Sequence, residues 1–269
     1  MDEVNKISMD TICGALCYAM GIEPPKEAAE PNEAIVSYVD EALHGEKADR
    51  IVMFNPDAVA QWIVEKYPQF VVEPDLYGTL KVPLCTVMPS VTPVCFGTMY
   101  TGAQPSVHGI RKYEKPVIRI DTIFDALIRA GKKPVIVAHK ACSLGKIFLE
   151  RDMDYFLYDS WSEVNAKAHE LLLEDKHDFY VIYNGNYDHT MHHSGPESKE
   201  ALAELRCNAR EFGSVYMTVL EHFRAHNTLL GWAMDHGCHE IDGNAGSHGL
   251  DMPEDLNVLH RYTVLPKES

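Results

Sequence analysis

From residue 50 onward, short apolar runs alternate with segments whose apolar residues recur at helical spacing. "RIVMF" (Arg50 to Phe54), "KPVIVAH", "DYFLY", "DFYVIY", "TLLGWAM" and "HRYTVL" predict buried strands. Between them "DTIFDALIRAGKK", "SLGKIFLER", "SEVNAKAHELLLED" and the long "SKEALAELRCNAREFGSVYMTVLEHFRAH" predict helices. Asp121 reads as a helix cap and Gly131 as a helix stop. The first fifty residues read as helical and irregular, with a loop at "GIEPPKEAAEPNE". Strands alternating with helices predict an α/β fold, a three-layer α/β/α sandwich around a mostly parallel central sheet. Residues 1–49 are expected to form a helical segment packed on a main domain spanning 50–269.

Composition narrows what such a fold does. At 269 residues, with 46% hydrophobic and 24% charged residues, the chain can bury one large core. A formal charge of −16 argues against a nucleic-acid polymer or an anionic membrane as the main partner. A small phosphorylated ligand stays compatible if metal ions supply positive charge. The seven cysteines are scattered without a CxxC pair, which suits reduced thiols and a cytoplasmic location. The start, "MDEVNKISMD", has no apolar leader run, and no stretch is long enough to span a membrane.

The chemistry-bearing residues gather where strands end. In "MPSVTPVCFGTMYTGAQPSVHGI", Pro93 suits a first helical position, so Thr92 reads as the N-cap of a helix. A helix N-terminus also suits a nucleophile held against phosphate. Ligands of open α/β sheets collect outside the carboxyl ends of strands. Asp57 follows "IVMFNP", Asp188 follows "FYVIYNGNY", and Asp235 follows "LLGWAM". Asp188 and His192 stand at i, i+4 in "DHTMHHSGP" and share one face of a helical turn. Asp235 and His236 are adjacent, with Gly237 letting the chain turn away, and a glycine-flanked His248 lies beyond. Carboxylate and imidazole together suit zinc, or manganese or iron less selectively, and the set suffices for two ions. Each residue alone has a bland reading as a turn, cap or surface group. His189 and His193 read as solvated or supporting, and His239 as either a site or a loop residue.

Together these segments resemble the alkaline phosphatase superfamily, most closely its nucleotide pyrophosphatase/phosphodiesterase branch. "SVTPVCFGTMYTGAQPSVHGI" is similar to the nucleophile segment, with Thr92 at the nucleophile position. "DHTMHHSGP" matches an Asp-x-x-x-His-x-x-Gly-Pro segment at Asp188, His192, Gly195 and Pro196. "DHG" at Asp235 to Gly237 and "GSHG" at His248 match the last two metal segments. The resemblance covers residue 50 to the C-terminus and implies an alkaline phosphatase-like catalytic domain with two divalent metals, usually zinc. It places one ion on Asp57, Thr92, Asp235 and His236, and the other on Asp188, His192 and His248. Two departures stand out. "NPDAV" replaces an Asp-Gly pair, leaving Asn55 as a fallback ligand. "HGIRKYEKP" lacks the asparagine by which diesterases hold a phosphoryl oxygen; Arg111 or Lys112 is the candidate to contribute positive charge instead, each with a bland reading as surface charge.

The implied reaction is hydrolysis of a phosphoryl ester on a small phosphorylated or nucleotide-like substrate. Two ions can clamp the attacking and leaving oxygens while Thr92 forms a phosphothreonine that water then releases. The alternatives are a phosphomonoesterase or phosphonate hydrolase on the same scaffold, or a metal- or nucleotide-binding module without catalysis.

Overall fold

The structure, a computed structural model, describes residues 3–268. Each of the six apolar runs becomes a strand. The chain opens with α1 (Thr11–Met20), α2 (Glu33–Ala42), β1 (Arg50–Pro56), α3 (Gln61–Lys66), α4 (Val72–Tyr77) and β2 (Leu80–Cys85). It continues through α5 (Thr92–Thr101), α6 (Pro105–His108), α7 (Ile123–Arg129), β3 (Pro134–His139), α8 (Leu144–Ile147) and β4 (Asp154–Tyr158). Next come α9 (Trp161–Glu174), β5 (Phe179–Asn184), α10 (Asn186–Ser194), α11 (Lys199–His222) and β6 (Thr228–Trp232). A small hairpin, β7 (His239–Ile241) and β8 (Ala245–Ser247), precedes α12 (Pro253–Leu256) and β9 (Asn257–Leu265).

The main sheet has the order β2-β9-β6-β1-β5-β3-β4. β6, β1, β5, β3 and β4 are parallel neighbours, and β9 runs antiparallel to both β6 and β2. Helices α1, α5, α7 and α8 pack together as one layer, and α4, α9 and α11 as another. The expected α/β/α sandwich with a mostly parallel sheet is therefore the observed one. Its central strands are buried except at an end residue of β1 and of β3, and β5 and β6 are buried at every residue, as expected for strands covered on both faces.

Local chemistry moves three boundaries. The edge strand β2 was not expected, because Pro83 interrupts its apolar pattern and only alternate residues are covered. Proline is tolerated there because an edge strand has a side without ladder partners. The cap of α7 is Thr122 rather than Asp121: Thr122 and Asp125 form a capping box, while Asp121 pairs with Arg129. The cap of α5 is Val91 rather than Thr92, which is already the first helical residue. Its hydroxyl therefore serves no capping bond and is free for other partners.

The segment before β1 shares the main core from Met9 onward. Ile12, Leu16, Ile35 and Val39 belong to the same buried cluster as Ile51 to Phe54 of β1. Eight of the ten α1 residues are buried, and each large apolar side chain so covered contributes about 1.5–3 kcal/mol. The backbone of Met9 and Ile7 also bonds to Cys85 at the end of β2. All seven cysteines are free thiols, with Cys13 and Cys17 inside the core.

Candidate metal centre

β5, β1 and β6 are adjacent and parallel, so their carboxyl ends open onto one edge of the sheet. Phe54 and Trp232 stack at 5.4 Å near the ends of β1 and β6, which fixes the two strand exits side by side. Asp57 leaves β1 immediately, and Asp235 leaves β6 three residues after its end. Thr86 donates to the Asp235 carbonyl at 2.8 Å and locks that turn. Gly237 is glycine for want of space: a Cβ there would lie 2.0 Å from the Glu254 carbonyl oxygen. Its φ lies outside the left-handed region, so the turn expected there does not itself demand glycine.

Asp57, Asp235 and His236 form one cluster. His236 Nε2 lies 3.5 Å from Asp57 Oδ1 and 3.3 Å from Asp235 Oδ2. Thr92 Oγ1 stands 3.5 Å from Asp57 Oδ2 and 3.4 Å from His236 Nε2. Ala58 takes a left-handed conformation, φ 60°, in the position where the resemblance expects glycine. That conformation aims its N–H at Asp235 Oδ1, 3.2 Å away.

Asp188, His192 and His248 form the second cluster. α10 brings His192 Nε2 within 3.2 Å of Asp188 Oδ1, the one-turn pairing expected from the spacing. His248, just past β8, reaches the same oxygen at 3.5 Å. The clusters adjoin, since the His236 and His248 rings stack at 4.0 Å.

Three features suit the set to cations. Asp57 Oδ1, Asp188 Oδ1 and Asp235 Oδ2 are buried and have no hydrogen-bond partner, a costly state for carboxylate oxygens in an otherwise satisfied interior. Each histidine is oriented through Nδ1 by a backbone carbonyl: His236 by Gly237 at 2.9 Å, His192 by Gly246 at 2.9 Å, and His248 by Ser90 at 3.0 Å. That pattern assigns the proton to Nδ1 and turns Nε2 toward the carboxylates, the arrangement of metal-ligating histidines. Each cluster's donor atoms also lie within 4.8 Å of one another. Two carboxylates and an imidazole, or one carboxylate and two imidazoles, is a donor set that zinc, manganese and iron accept.

Electrostatics separates the clusters. Burial pushes Asp57 up to about 7, helped by the nearby Asp188 charge. Burial likewise raises Asp235 far above the usual carboxylate range and depresses His236. Burial would also raise Asp188, but the adjoining His192 and His248 imidazoles outweigh it and hold its carboxyl well below the usual range. Reciprocally, Asp188 pushes His192 up to about 8. For His248, burial opposes but Asp188 prevails, and its pKa is raised.

The remaining expected residues sit elsewhere. Asn55 donates to the Ala233 carbonyl at 2.6 Å and accepts from Tyr100 at 2.6 Å; its amide is spent on joining β1 to its surroundings. Arg111 is exposed and donates to the Ser106 carbonyl. Lys112 pairs with Glu114 at 3.4 Å. Neither makes a polar contact with the two clusters among the described residues. His239 binds Asp255 at 2.7 Å, which places it in the loop's own support. Exposed His193 bonds the His189 carbonyl. Tyr183, which donates to Asp57 Oδ2, was missed because it reads as one more apolar residue of a strand.

No protein-family model matches the chain, and no curated protein matches its sequence. Solved structures do match. Human ectonucleotide pyrophosphatase/phosphodiesterase 5 superposes with a TM-score of 0.59 at 17% identity, over 72% of this chain and 58% of its own. Its murine counterpart, in an inactive threonine-to-alanine form in complex with AMP, gives 0.58 at 17%, over 72% and 59%. Phosphonoacetate hydrolase from Sinorhizobium meliloti 1021, in complex with phosphonoformate, gives 0.53 at 16%, over 76% and 61%. A 2-O GAG sulfatase gives 0.57 at 11%, over 80% and 64%. The chain thus spans about three-fifths of the length of the structures it matches. The likeness is one of fold, and that fold is alkaline phosphatase-like.

Proposed function

We propose that this chain is a two-metal phosphoryl-ester hydrolase of the phosphodiesterase/nucleotide pyrophosphatase type, working through a phosphothreonine on Thr92. One observation carries the reading: three unpaired buried carboxylate oxygens and three imidazole Nε2 atoms converge in adjacent clusters, with one threonine hydroxyl at the edge of one cluster. Asp57, Thr92, Asp235 and His236 would hold one divalent cation, and Asp188, His192 and His248 the other, zinc being the choice that best suits the donors. When bound, the ions supply the positive charge that binds a phosphoryl group and stabilises charge on the attacking and leaving oxygens.

The chain's own residues do the rest. Thr92 stands in the first turn of the ten-residue α5, where the helix dipole favours negative charge on its oxygen. The hydroxyl proton leaves toward Asp57 Oδ2, the carboxylate oxygen to which it donates at 3.5 Å. The threonine oxygen attacks phosphorus, the bond from phosphorus to the departing alcohol breaks, and a phosphothreonine forms. Water then cleaves that ester and restores Thr92. Asp188 holds His192 and His248 together, while the carbonyls of Gly246 and Ser90 fix their rings.

The substrate on this reading is a small phosphorylated or nucleotide-like molecule. Residues 50–269 would carry the catalysis and residues 1–49 support it. Free thiols, including exposed Cys207, favour a reducing compartment and hence the cytoplasm, and no described helix is long and apolar enough to cross a membrane. Arg111 and Lys112 would reach a substrate only by leaving their present partners. The absent asparagine in "HGIRKYEKP" favours a second reading, a phosphomonoesterase or phosphonate hydrolase on the same scaffold. Side-by-side turnover of nitrophenyl phosphate and bis-nitrophenyl phosphate by the metal-loaded protein separates these. Preference for the diester supports the first reading, preference for the monoester supports the second, and no cleavage of either with two metals bound points to a binding module.

A further inference from the structure

Tyr183, next to last in β5, belongs to neither cluster. Its ring is held between Phe96 of α5 at 5.9 Å and Trp161 of α9 at 5.8 Å, and it is almost fully buried. Its hydroxyl donates to Asp57 Oδ2, while Oδ1 of the same carboxylate accepts no hydrogen bond. Two residues on, Gly185 has φ −103°, a conformation open to any residue. Space is what restricts it: a Cβ at 185 would lie 2.5 Å from the Tyr183 hydroxyl oxygen and 2.9 Å from Cζ.

Building on the reading that the two clusters hold cations, we propose that Tyr183 is the positioning residue of the Asp57 cluster. Its hydroxyl occupies Oδ2 and so presents Oδ1 to the ion. Gly185 is glycine because the tyrosine hydroxyl needs the volume a side chain would take. Among the described residues no side chain from outside its cluster hydrogen-bonds Asp188, whose neighbours are His192 and His248. The effect of Tyr183 is therefore confined to one of two sites. Removing an outer hydrogen bond of this kind typically lowers metal affinity by about 10- to 100-fold.

Cobalt(II) titration of the metal-free protein, followed by calorimetry and by visible absorption, tests this apart from activity. The unaltered protein should bind two equivalents. Tyr183→Phe keeps the ring and its packing; it should weaken one equivalent by about 10- to 100-fold, alter the absorption bands of that site alone, and leave the other unchanged. Gly185→Ala keeps the hydroxyl but takes its space, and should weaken the same equivalent. Unchanged affinities in Tyr183→Phe, or an equal loss at both sites, would overturn the positioning role. Unchanged affinities in Gly185→Ala would overturn the explanation of that glycine. No cobalt binding by the unaltered protein would instead overturn the metal reading itself.

Discussion

The two carboxylate–imidazole clusters use the same residue types but are built by opposite means. Asp57, Asp235 and His236 sit at strand exits, with side-chain exposures of 1%, 0% and 0%. Asp188 and His192 come from one helical turn and His248 from beyond a hairpin, with exposures of 20%, 36% and 7%. In the first, two buried carboxylates face a single imidazole that burial keeps neutral. In the second, one carboxylate faces two imidazoles whose protonation it favours. Strand ends thus give a rigid cluster that is electrostatically strained without a cation, while helix and hairpin give one that balances its own charge. Thr92 belongs with the strained one.

The largest expected effect tests that last assignment. Thr92→Ala should lower turnover by on the order of 10³-fold or more, as loss of a covalent nucleophile does. Thr92 makes no cap bond, so melting temperature should stay near that of the parent, while the cation shared with Asp57, Asp235 and His236 loses one oxygen ligand and should bind more weakly. Near-normal turnover would remove Thr92 from the mechanism.

Asparagine substitutions should next give opposite signs in chelator-treated protein. Asp235→Asn removes a carboxyl that the metal-free fold holds protonated against its ordinary ionisation, and at neutral pH should stabilise that fold by about 1–3 kcal/mol. Asp188→Asn removes the partner of two imidazoles and should destabilise it by about 1 kcal/mol. Urea unfolding measures both, and equal signs would erase the contrast.

pH gives a smaller difference. Asp57, pushed up from 3.8 to about 7 by burial, keeps in the metal-free fold a proton that the unfolded chain releases near pH 4. Its contribution is present at low pH and lost as pH rises to 7. His192, raised from 6.5 to about 8 by Asp188, contributes below 6.5 and loses that contribution as pH rises through 8. Both losses belong to the metal-free form, so the drop in melting temperature caused by EDTA should grow from pH 5 to pH 8. Buried His108 and His260, pushed down to about 4 by burial, act in the opposite direction. They weaken both forms alike between pH 6.5 and 4 and cancel in that difference. A drop that shrinks with pH would contradict the charge assignment.

The smallest effect concerns Ala58. The left-handed conformation costs an L-residue about 1–2 kcal/mol, against about 0.5–1 kcal/mol of backbone entropy for glycine. Ala58→Gly should therefore stabilise the protein by up to about 1.5 kcal/mol, with both metal affinities within twofold of the parent.

The sequence is most informative where burial makes a pattern. β1, β3, β5 and β6 announce themselves as apolar runs because both faces are covered. Asp57, Asp188 and Asp235 stand out because each comes shortly after such a run. The i, i+4 spacing placed His192 beside Asp188, but nothing local tied His248 to them; that needed the resemblance. Tertiary neighbours set the features that stayed hidden. β2 is an edge strand carrying a proline, Val91 displaced Thr92 from the cap, and Gly237 and Gly185 owe their identity to an atom of Glu254 and a hydroxyl of Tyr183. Tyr183 itself looks like any aromatic strand residue until its partner is seen.

The proposed chemistry requires the chain to cage two cations, one of them beside a threonine oxygen. Anomalous diffraction at the zinc edge, from crystals of zinc-loaded protein, would locate them. Two peaks are expected, one among Asp57, Asp235 and His236 within bonding reach of Thr92 Oγ1, the other among Asp188, His192 and His248. Peaks elsewhere, or none at either cluster, would contradict the two-metal reading.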